Sequence, residues 1–524
     1  MKLRYRCWVA FWLVLGCQHV GAQDLNPFIE RDWIVAKSPV TFFIQYPDQI
    51  EQLYAKNGYQ RLWVDLNSGL ALEHQLELIK SAGISPLFDR QLRYLTLYRE
   101  RKSWYEYDLL ATDTLLMFLS YAERAPHEGM TWFFKLKLNH RLPVPSKQAL
   151  FNLEMAFELH TLIDLINDYA PRDKSYFQLV NAYDFLGRIA DSSLPIYRQQ
   201  GVVSPGNKLA DRKALIARLA LVNIDTSQIV QEGDRYDDSL LKPVADFQRM
   251  HGLHADGVIG PTTVRWLNMS VAERRHLLAV NAERMRLWPV QEKASIVVNV
   301  PEYEMTYWFE GAKVFQSRVI VGRRTRPTPL ITTRLDSLIF NPIWHVPHKI
   351  MVEDILPLAI EKPDYLKEHN IEVVKEWRDS ETVDPATIDW PNVDPSHFPY
   401  KMRQTAGDHN SLGIYKFNTP NRNAIYLHDT PHKELFGSAA RAYSSGCVRV
   451  QDASGFAKLL MTKPGLALEP TVEEEASSNF AVALKQHIPV RMIYQTAWYA
   501  QGEVHYRADI YRYDRISSVK GKVH

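Results

Sequence analysis

Residues 441–449 read Arg441-Ala442-Tyr443-Ser444-Ser445-Gly446-Cys447-Val448-Arg449, and upstream stands Ala424-Ile425-Tyr426-Leu427-His428-Asp429-Thr430. A thiol attacks as its thiolate, and a free cysteine, with a pKa of roughly 8.5, is usually activated by a nearby histidine. Cys447 and His428 are therefore the candidate nucleophile and proton donor/acceptor. Gly446 removes side-chain bulk beside the sulfur, so that a substrate carbonyl can approach backbone N–H donors able to stabilise an oxyanion. Extended backbone over Cys447-Val448-Arg449 puts Cys447 and Arg449 on one face. The cation then either favours the thiolate or holds a substrate carboxylate. Taken singly, His428 also reads as a satisfied core histidine, and Arg449 as a structural ion-pair partner.

The cysteine count singles out the same residue. The chain has three cysteines, Cys7, Cys17 and Cys447, and the first two fall in a stretch that reads as an export leader. Lys2, Arg4 and Arg6 form a positive region, Cys7 to Gly16 is a short apolar run, and Val20-Gly21-Ala22 offers the small residues a signal peptidase reads. Residues 1–22 are expected to be removed, leaving a chain that begins near Gln23 with no stable transmembrane segment, since no later segment approaches about 20 uninterrupted apolar residues. A rival reading takes Val14-Leu15-Gly16-Cys17 as a loose lipobox, with a lipid on Cys17. An unpaired thiol in an oxidising compartment invites a functional explanation. The plain alternative is a buried, inert cysteine.

The 524 residues around this motif have ordinary globular composition, 46% hydrophobic and 23% charged, which excludes disorder, a collagen-like fibre and a disulfide-stapled miniprotein. With 62 basic against 60 acidic residues and no long basic run, no nucleic-acid partner is expected. The 13 Trp, 26 Tyr and 21 Phe suit packed cores first and carbohydrate or peptide grooves second.

The expected fold class is multidomain α+β. Residues 26–225 read as a helical scaffold, with periodic runs over Asp108 to Glu123, Ala149 to Tyr169, Tyr176 to Ala190 and Lys208 to Val222 and no catalytic constellation. Residues 235–270 form a small helical module in which Leu240, Val244 and Phe247 share a face, Asp256-Gly257 turns, and Gly260-Pro261 starts a second helix. A linking helix, Val271 to Arg286 within 271–290, leads into a β-rich domain at 293–513. There Ser295 to Val300 is β-branched, Tyr303, Met305, Tyr307 and Phe309 alternate, Glu310-Gly311 turns, Val314 to Val321 returns, and a late strand runs from Arg491 to Tyr499. A Pro-rich, charged insertion at about 344–404, with a helix near Met351 to Glu361, has the size of a lid or a binding loop.

Histidine spacing permits two metal readings, His428 with His432 and His345 with His348. Neither pair has an evident third ligand or an HExxH pattern, so no metal is expected.

Taken together, Ile425-Tyr426-Leu427-His428 and Ser444-Ser445-Gly446-Cys447-Val448-Arg449 resemble the signature of the L,D-transpeptidase catalytic domain of the YkuD type. Leu412-Gly413 and Lys416-Phe417 look like its preceding segment, and the resemblance covers about Ser295 to Tyr499. Phe247-Gln248 and Asp256-Gly257-Val258-Ile259-Gly260 resemble a peptidoglycan-binding domain, and the whole chain is similar to the large periplasmic L,D-transpeptidases of Gram-negative bacteria. The resemblance implies a periplasmic enzyme without cofactors, in which Cys447 is the nucleophile, His428 the general acid/base, and Tyr426, Ser445, Gly446 and Arg449 line the substrate site. Its partners would be peptidoglycan stems, a tetrapeptide donor and an amine acceptor. The reaction would join two third-position diaminoacid residues through a Cys thioester with release of D-alanine. The insertion would cap the cleft and exclude water. The resemblance also implies acylation by β-lactams, carbapenems above most penicillins. Many members carry His where this chain has Ser445, whose hydroxyl can take a hydrogen bond instead. Two other readings use the same residues differently: a thiol L,D-carboxypeptidase with water as acceptor, and a non-catalytic peptidoglycan-binding scaffold.

Overall fold

The computed structural model describes residues 39–288, 292–362 and 364–514, so the leader, its cleavage site and Cys17 lie outside the described residues. The chain divides into two compact units, one drawn from residues up to 77 with 87–123 and 140–169, the other from 78–86, 124–139 and 170 onward. Among the described residues no helix is long and apolar enough to cross a membrane.

The first unit is helical. Helix Pro47–Lys56 begins on a proline, whose missing N–H is not needed in the first turn, and buries Ile50, Leu53 and Tyr54 as one stripe. The single helix expected over Ala149 to Tyr169 is two, Lys147–Glu158 and Leu162–Asp168. The break lies at His160, in the left-handed region at φ 56°, where the Thr161 amide closes back on the Ala156 carbonyl at 2.9 Å. This is the usual left-handed closure of a helix end, made here without the glycine that normally signals it. Two buried carboxylates tie loops to the helices of this unit. Asp108 accepts from the Leu62 and Trp63 amides, and Asp113 from those of Gln45 and Tyr46.

In the second unit, helix Asp238–Met250 buries Leu240, Val244 and Phe247 on one face, as the spacing predicts. The following turn is stapled by Gln248, which accepts from the Gly257 amide (2.8 Å) and donates to the Val258 carbonyl (2.9 Å). Gly257 needs its φ of +72°, and a Cβ there would strike Leu241. Helix Pro261–Leu267 follows. Helix Arg212–Ala220, grouped by sequence with the amino-terminal helices, is bound to this module: Arg212 donates to the Arg235 carbonyl (2.8 Å) and pairs with Asp237 (2.6 Å). Helix Val271–Arg284 starts with a capping box between Ser270 and Glu273.

Nine strands form the main sheet: β1 (Ala294–Asn299), β2 (Glu304–Phe309), β3 (Ala312–Gly322), β4 (Thr332–Phe340), β8 (Tyr415–Asn418), β9 (Leu427–His428), β10 (Ala442–Ser444), β11 (Val448–Val450) and β12 (Phe480–Ile493). Their order is β10-β3-β11-β9-β8-β4-β12-β1-β2, and an additional β2–β3 pairing closes the sheet on itself. Helix Ala453–Leu460 buries Ala453, Phe456, Ala457 and Leu460, spaced as one helical face. Its Phe456 ring meets Phe417, Phe315 and Tyr307 from three strands or their margins, with centroids 4.7, 5.1 and 6.1 Å away.

The late strand expected from Arg491 to Tyr499 is interrupted. β12 ends at Ile493 and β13 (Ala497–Ala500) pairs instead with β14 (Glu503–Tyr506). Between them Asn299 takes the Gln495 amide (3.0 Å) and Asn281 the Thr496 amide (2.9 Å), so side-chain acceptors satisfy donors that a ladder would otherwise use.

The insertion is more than a loop. β5 (Trp344–His345), β6 (Ile371–Val374) and β7 (Lys401–Gln404) make a second sheet in the order β5-β7-β6, and a helical stretch runs from His348 to Glu361. It has a core of its own, including Met351, Leu356, Leu366, Val373, Trp390 and Met402. Phe456→Ala is expected to destabilise the β domain by about 3–5 kcal/mol through the cavity it leaves. Denaturant unfolding checks this, and the insertion's core should lose far less protection in hydrogen exchange than β8 and β11.

Candidate active site

β9 is the strand that assembles the site. It runs antiparallel to β8 and parallel to β11, pairing Leu427 with Phe417 and Val448, and His428 with Lys416 and Arg449. Leu427, Phe417 and Val448 are buried apolar residues, so the core sets the register, and strand alternation turns the next row to the opposite face.

Cys447 ends the short loop from β10 to β11. The loop is bonded to itself and its neighbours: Ser444 Oγ donates to the Cys447 carbonyl (2.6 Å) and accepts from the Gly446 amide (3.1 Å), while the Val448 amide donates to the Tyr426 carbonyl (3.1 Å). Thr328 Oγ1 donates to the Gly446 carbonyl (2.8 Å), and Tyr511 supports the same segment by donating to the Gly322 carbonyl (2.6 Å). The Ser445 and Cys447 amides have no acceptor among the described residues. Gly446 has φ +119°, and an added Cβ would lie 3.1 Å from Ile425 Cδ1.

The Cys447 sulfur is partly exposed and sits 3.7 Å from the Ala424 carbonyl. Burial pushes the thiol above its ordinary value, against hydrogen bonding from the Tyr426 backbone first, then Lys416, Arg449 and the Tyr426 side chain. His428 is buried, with Nδ1 2.5 Å from the Asp429 carbonyl. That contact assigns the proton to Nδ1 and leaves the Nε2 lone pair free. Asp429 is itself held by the Ile414 amide (3.1 Å) and by Lys433. Burial first, then Arg449, Lys416 and Lys433, depress the His428 pKa to about 3, so the ring is neutral at physiological pH. No hydrogen bond joins it to Cys447 among the described residues.

The structure brings the other expected residues to the same place. The Tyr426 ring lies edge-on to His428 with centroids 5.7 Å apart. Ser445 Oγ accepts from Arg326 (3.0 Å), a partner 119 positions away that no spacing announces. Arg449 pairs with no carboxylate among the described residues, and its Nε is buried without a partner, which disfavours the structural ion-pair reading. Sequence reasoning gave no role to Arg326, Thr328, Tyr511 or Lys416. Arg326 also pairs with Glu353 and Asp354, joined there by Arg323, so the helical stretch of the insertion is tied to the residue two before the thiol. A cavity of about 670 Å³ lies within the insertion beside Leu366, Val373 and Trp390, away from Cys447. His345 stacks on Trp377 and His432 lies beside Glu434, and no group of three His, Cys, Asp or Glu suited to a metal occurs among the described residues.

Residues 293–467 match the model of the L,D-transpeptidase catalytic domain, residues 48–182 that of a scaffold domain, and residues 210–267 one described as "Putative peptidoglycan binding domain". A Haemophilus influenzae protein named "Putative L,D-transpeptidase" is 30% identical over 473 residues, 90% of this chain and 79% of that protein. The chain belongs to the L,D-transpeptidase family. Similar solved structures include an L,D-transpeptidase from Mycobacterium smegmatis (11% identity, 38% of this chain and 58% of that one, TM-score 0.20). Another is from Stackebrandtia nassauensis (13% identity, 57% and 96%, TM-score 0.21). Its domains make the transpeptidase a peptidoglycan enzyme acting on the cell-wall side of the membrane.

Gly446→Ala in this transpeptidase is expected to cost about 1–2 kcal/mol of stability, from the positive φ alone, and to lower turnover by displacing the thiol. Thermal unfolding and a crosslinking assay check the two effects. For His428 the sign is set by the depressed value. An unfolded histidine titrates near about 6.5, so between there and about 3 the unfolded chain binds a proton that the folded chain refuses. The stability from its neutral form is complete above about pH 6.5 and is lost as pH falls toward about 3. Nitrogen chemical shifts of the His428 ring should stay flat from pH 8 to 4, and a titration centred near pH 6–7 would contradict the assignment.

Proposed function

We propose that this chain crosslinks peptidoglycan stem peptides in the periplasm by acyl transfer through Cys447. The observation that carries the reading is the pairing of a partly exposed thiol with a buried neutral histidine whose outer nitrogen is free. His428 lies on β9, and Cys447 immediately precedes the adjacent parallel strand β11, beside two unused backbone amides. Sγ attacks the carbonyl of the third, diaminoacid residue of a tetrapeptide donor. A C–S bond forms, the C–N bond to D-alanine breaks, and the thiol proton passes by way of His428 to the leaving amine. The Ser445 and Cys447 amides stabilise the oxyanion. The side-chain amine of a second stem then attacks the thioester, a C–N bond forms, the C–S bond breaks, and the amine proton returns through His428 to sulfur. The broken peptide bond supplies the energy, so the residues require neither nucleotide nor metal.

Tyr426, Ser445, Gly446 and Arg449 line the donor site in this reading, and the insertion covers it, favouring an amine over water. The module at residues 235–270 holds the polymer in this reading, which its match to a peptidoglycan-binding family supports. Purified disaccharide tetrapeptides supply the test. The expected product is a dimer joined between third positions, abolished by Cys447→Ala and reduced about 10²–10⁴-fold by His428→Ala. Trimmed monomers alone would make the chain a carboxypeptidase, and no change would leave a binding scaffold. A carbapenem should add one drug mass on the Ser444 to Arg449 peptide, absent in Cys447→Ala.

A further inference from the structure

The register of three adjacent strands places a second basic side chain next to the histidine. Lys416 on β8 and Arg449 on β11 both pair with His428 on β9, so the row reads cation, neutral imidazole, cation, with Cys447 immediately before Arg449. Neither cation has a carboxylate oxygen within 4.0 Å among the described residues. The Lys416 ammonium rests over the Tyr426 ring, 4.4 Å from its centroid, and is only partly exposed. Asp336 acts on Lys416 and Glu434 on Arg449 from beyond ion-pair contact, and two partly buried cations with no counterion in contact favour an anion that enters their field. The group they share is the Cys447 sulfur, and both act on it.

His428 is poorly placed to supply the charge in the resting enzyme. Its Nδ1 is engaged with the Asp429 carbonyl, no hydrogen bond joins it to Sγ, and the flanking cations oppose its protonation. We propose that Lys416 is a positioning residue that favours ionisation of Cys447 as its proton leaves, taking part of the electrostatic role that an imidazolium plays in a thiolate–histidine pair. The inference rests on Cys447 being the nucleophile. The groups around Lys416 agree with it. Asp336 of β4 is occupied by Ser337 (2.7 Å) and Asn418 (2.9 Å). Tyr426 stands just before β9, β9 offers His428, β11 offers Arg449, and β5 offers His345, whose pKa is lowered by burial first and then by Lys416. The sulfur takes hydrogen bonds from the Tyr426 backbone and side chain, and Lys416 is the first of the charged groups acting on it. Burial lowers the ammonium's own pKa, and the thiolate opposes that shift.

Alkylation of Cys447 by iodoacetamide over pH 5–10, in the full chain and followed by peptide mapping, tests the proposal. In that reaction the thiolate forms the S–C bond and iodide leaves. In Lys416→Met the midpoint should move to higher pH, with the rate at neutral pH falling about tenfold or more and the limiting rate at high pH unchanged. Lys416→Arg should restore the wild-type midpoint, and Lys416→Gln repeats the neutralisation with a polar side chain. Superimposable wild-type and neutral-variant profiles would overturn the inference. So would an equal loss of rate at every pH, or an Arg variant that behaves like Met. A different result, crosslinking that persists in Cys447→Ala, would remove the nucleophile assignment itself.

Discussion

The two-residue strand Leu427–His428 is the constraint on which the site depends. Leu427 lies in the sheet's core with Phe417 and Val448, and that burial decides which residues of β8 and β11 stand opposite each other. A slip of one residue would send His428 into the core and Leu427 into the site, because side-chain direction alternates along a strand. The geometry of the candidate site therefore inherits its precision from apolar packing on the opposite face of the same strands, backed by Phe456 from the helix that follows β11.

The thiol loop is built on the same logic of obligation. It is too short to carry regular structure, so its polar groups are satisfied one by one, through Ser444, Thr328 and the Tyr426 carbonyl. What remains unsatisfied is what a substrate can use: two amides, the outer nitrogen of His428, and two cations. Gly446 makes this possible by taking a backbone conformation that a side chain would strain.

The insertion joins this centre through charge. Its own core holds it together, and Glu353 and Asp354 meet Arg323 and Arg326 at the edge of the thiol loop. Arg326 reaches Ser445 with the same guanidinium, so a segment about 90 residues upstream in sequence is in electrical contact with the loop that carries Cys447. The planar, multiply donating guanidinium suits this bridging, which a lysine at the same place would not reproduce.

Much of this was legible in the sequence, because it is local. The Ser444 to Arg449 run, the Tyr426 to Asp429 run, the helical face of Leu240, Val244 and Phe247, and the alternation in β2 each state their chemistry within a few residues, where turn preference and periodicity act. Other features depended on elements meeting. The end of helix Lys147–Glu158 at His160 and the departure of the chain from β12 after Ile493 are set by carbonyls and asparagines that offer alternative partners, with no glycine or proline to announce them. Lys416 beside His428, and Arg326 on Ser445, require strand register and loop packing, which bring together residues 12 and 119 positions apart. The proton on His428 belongs to the same class. A sequence names an imidazole, but its charge is decided by how much water the fold removes and which charges it sets alongside, and both are properties of the packed molecule.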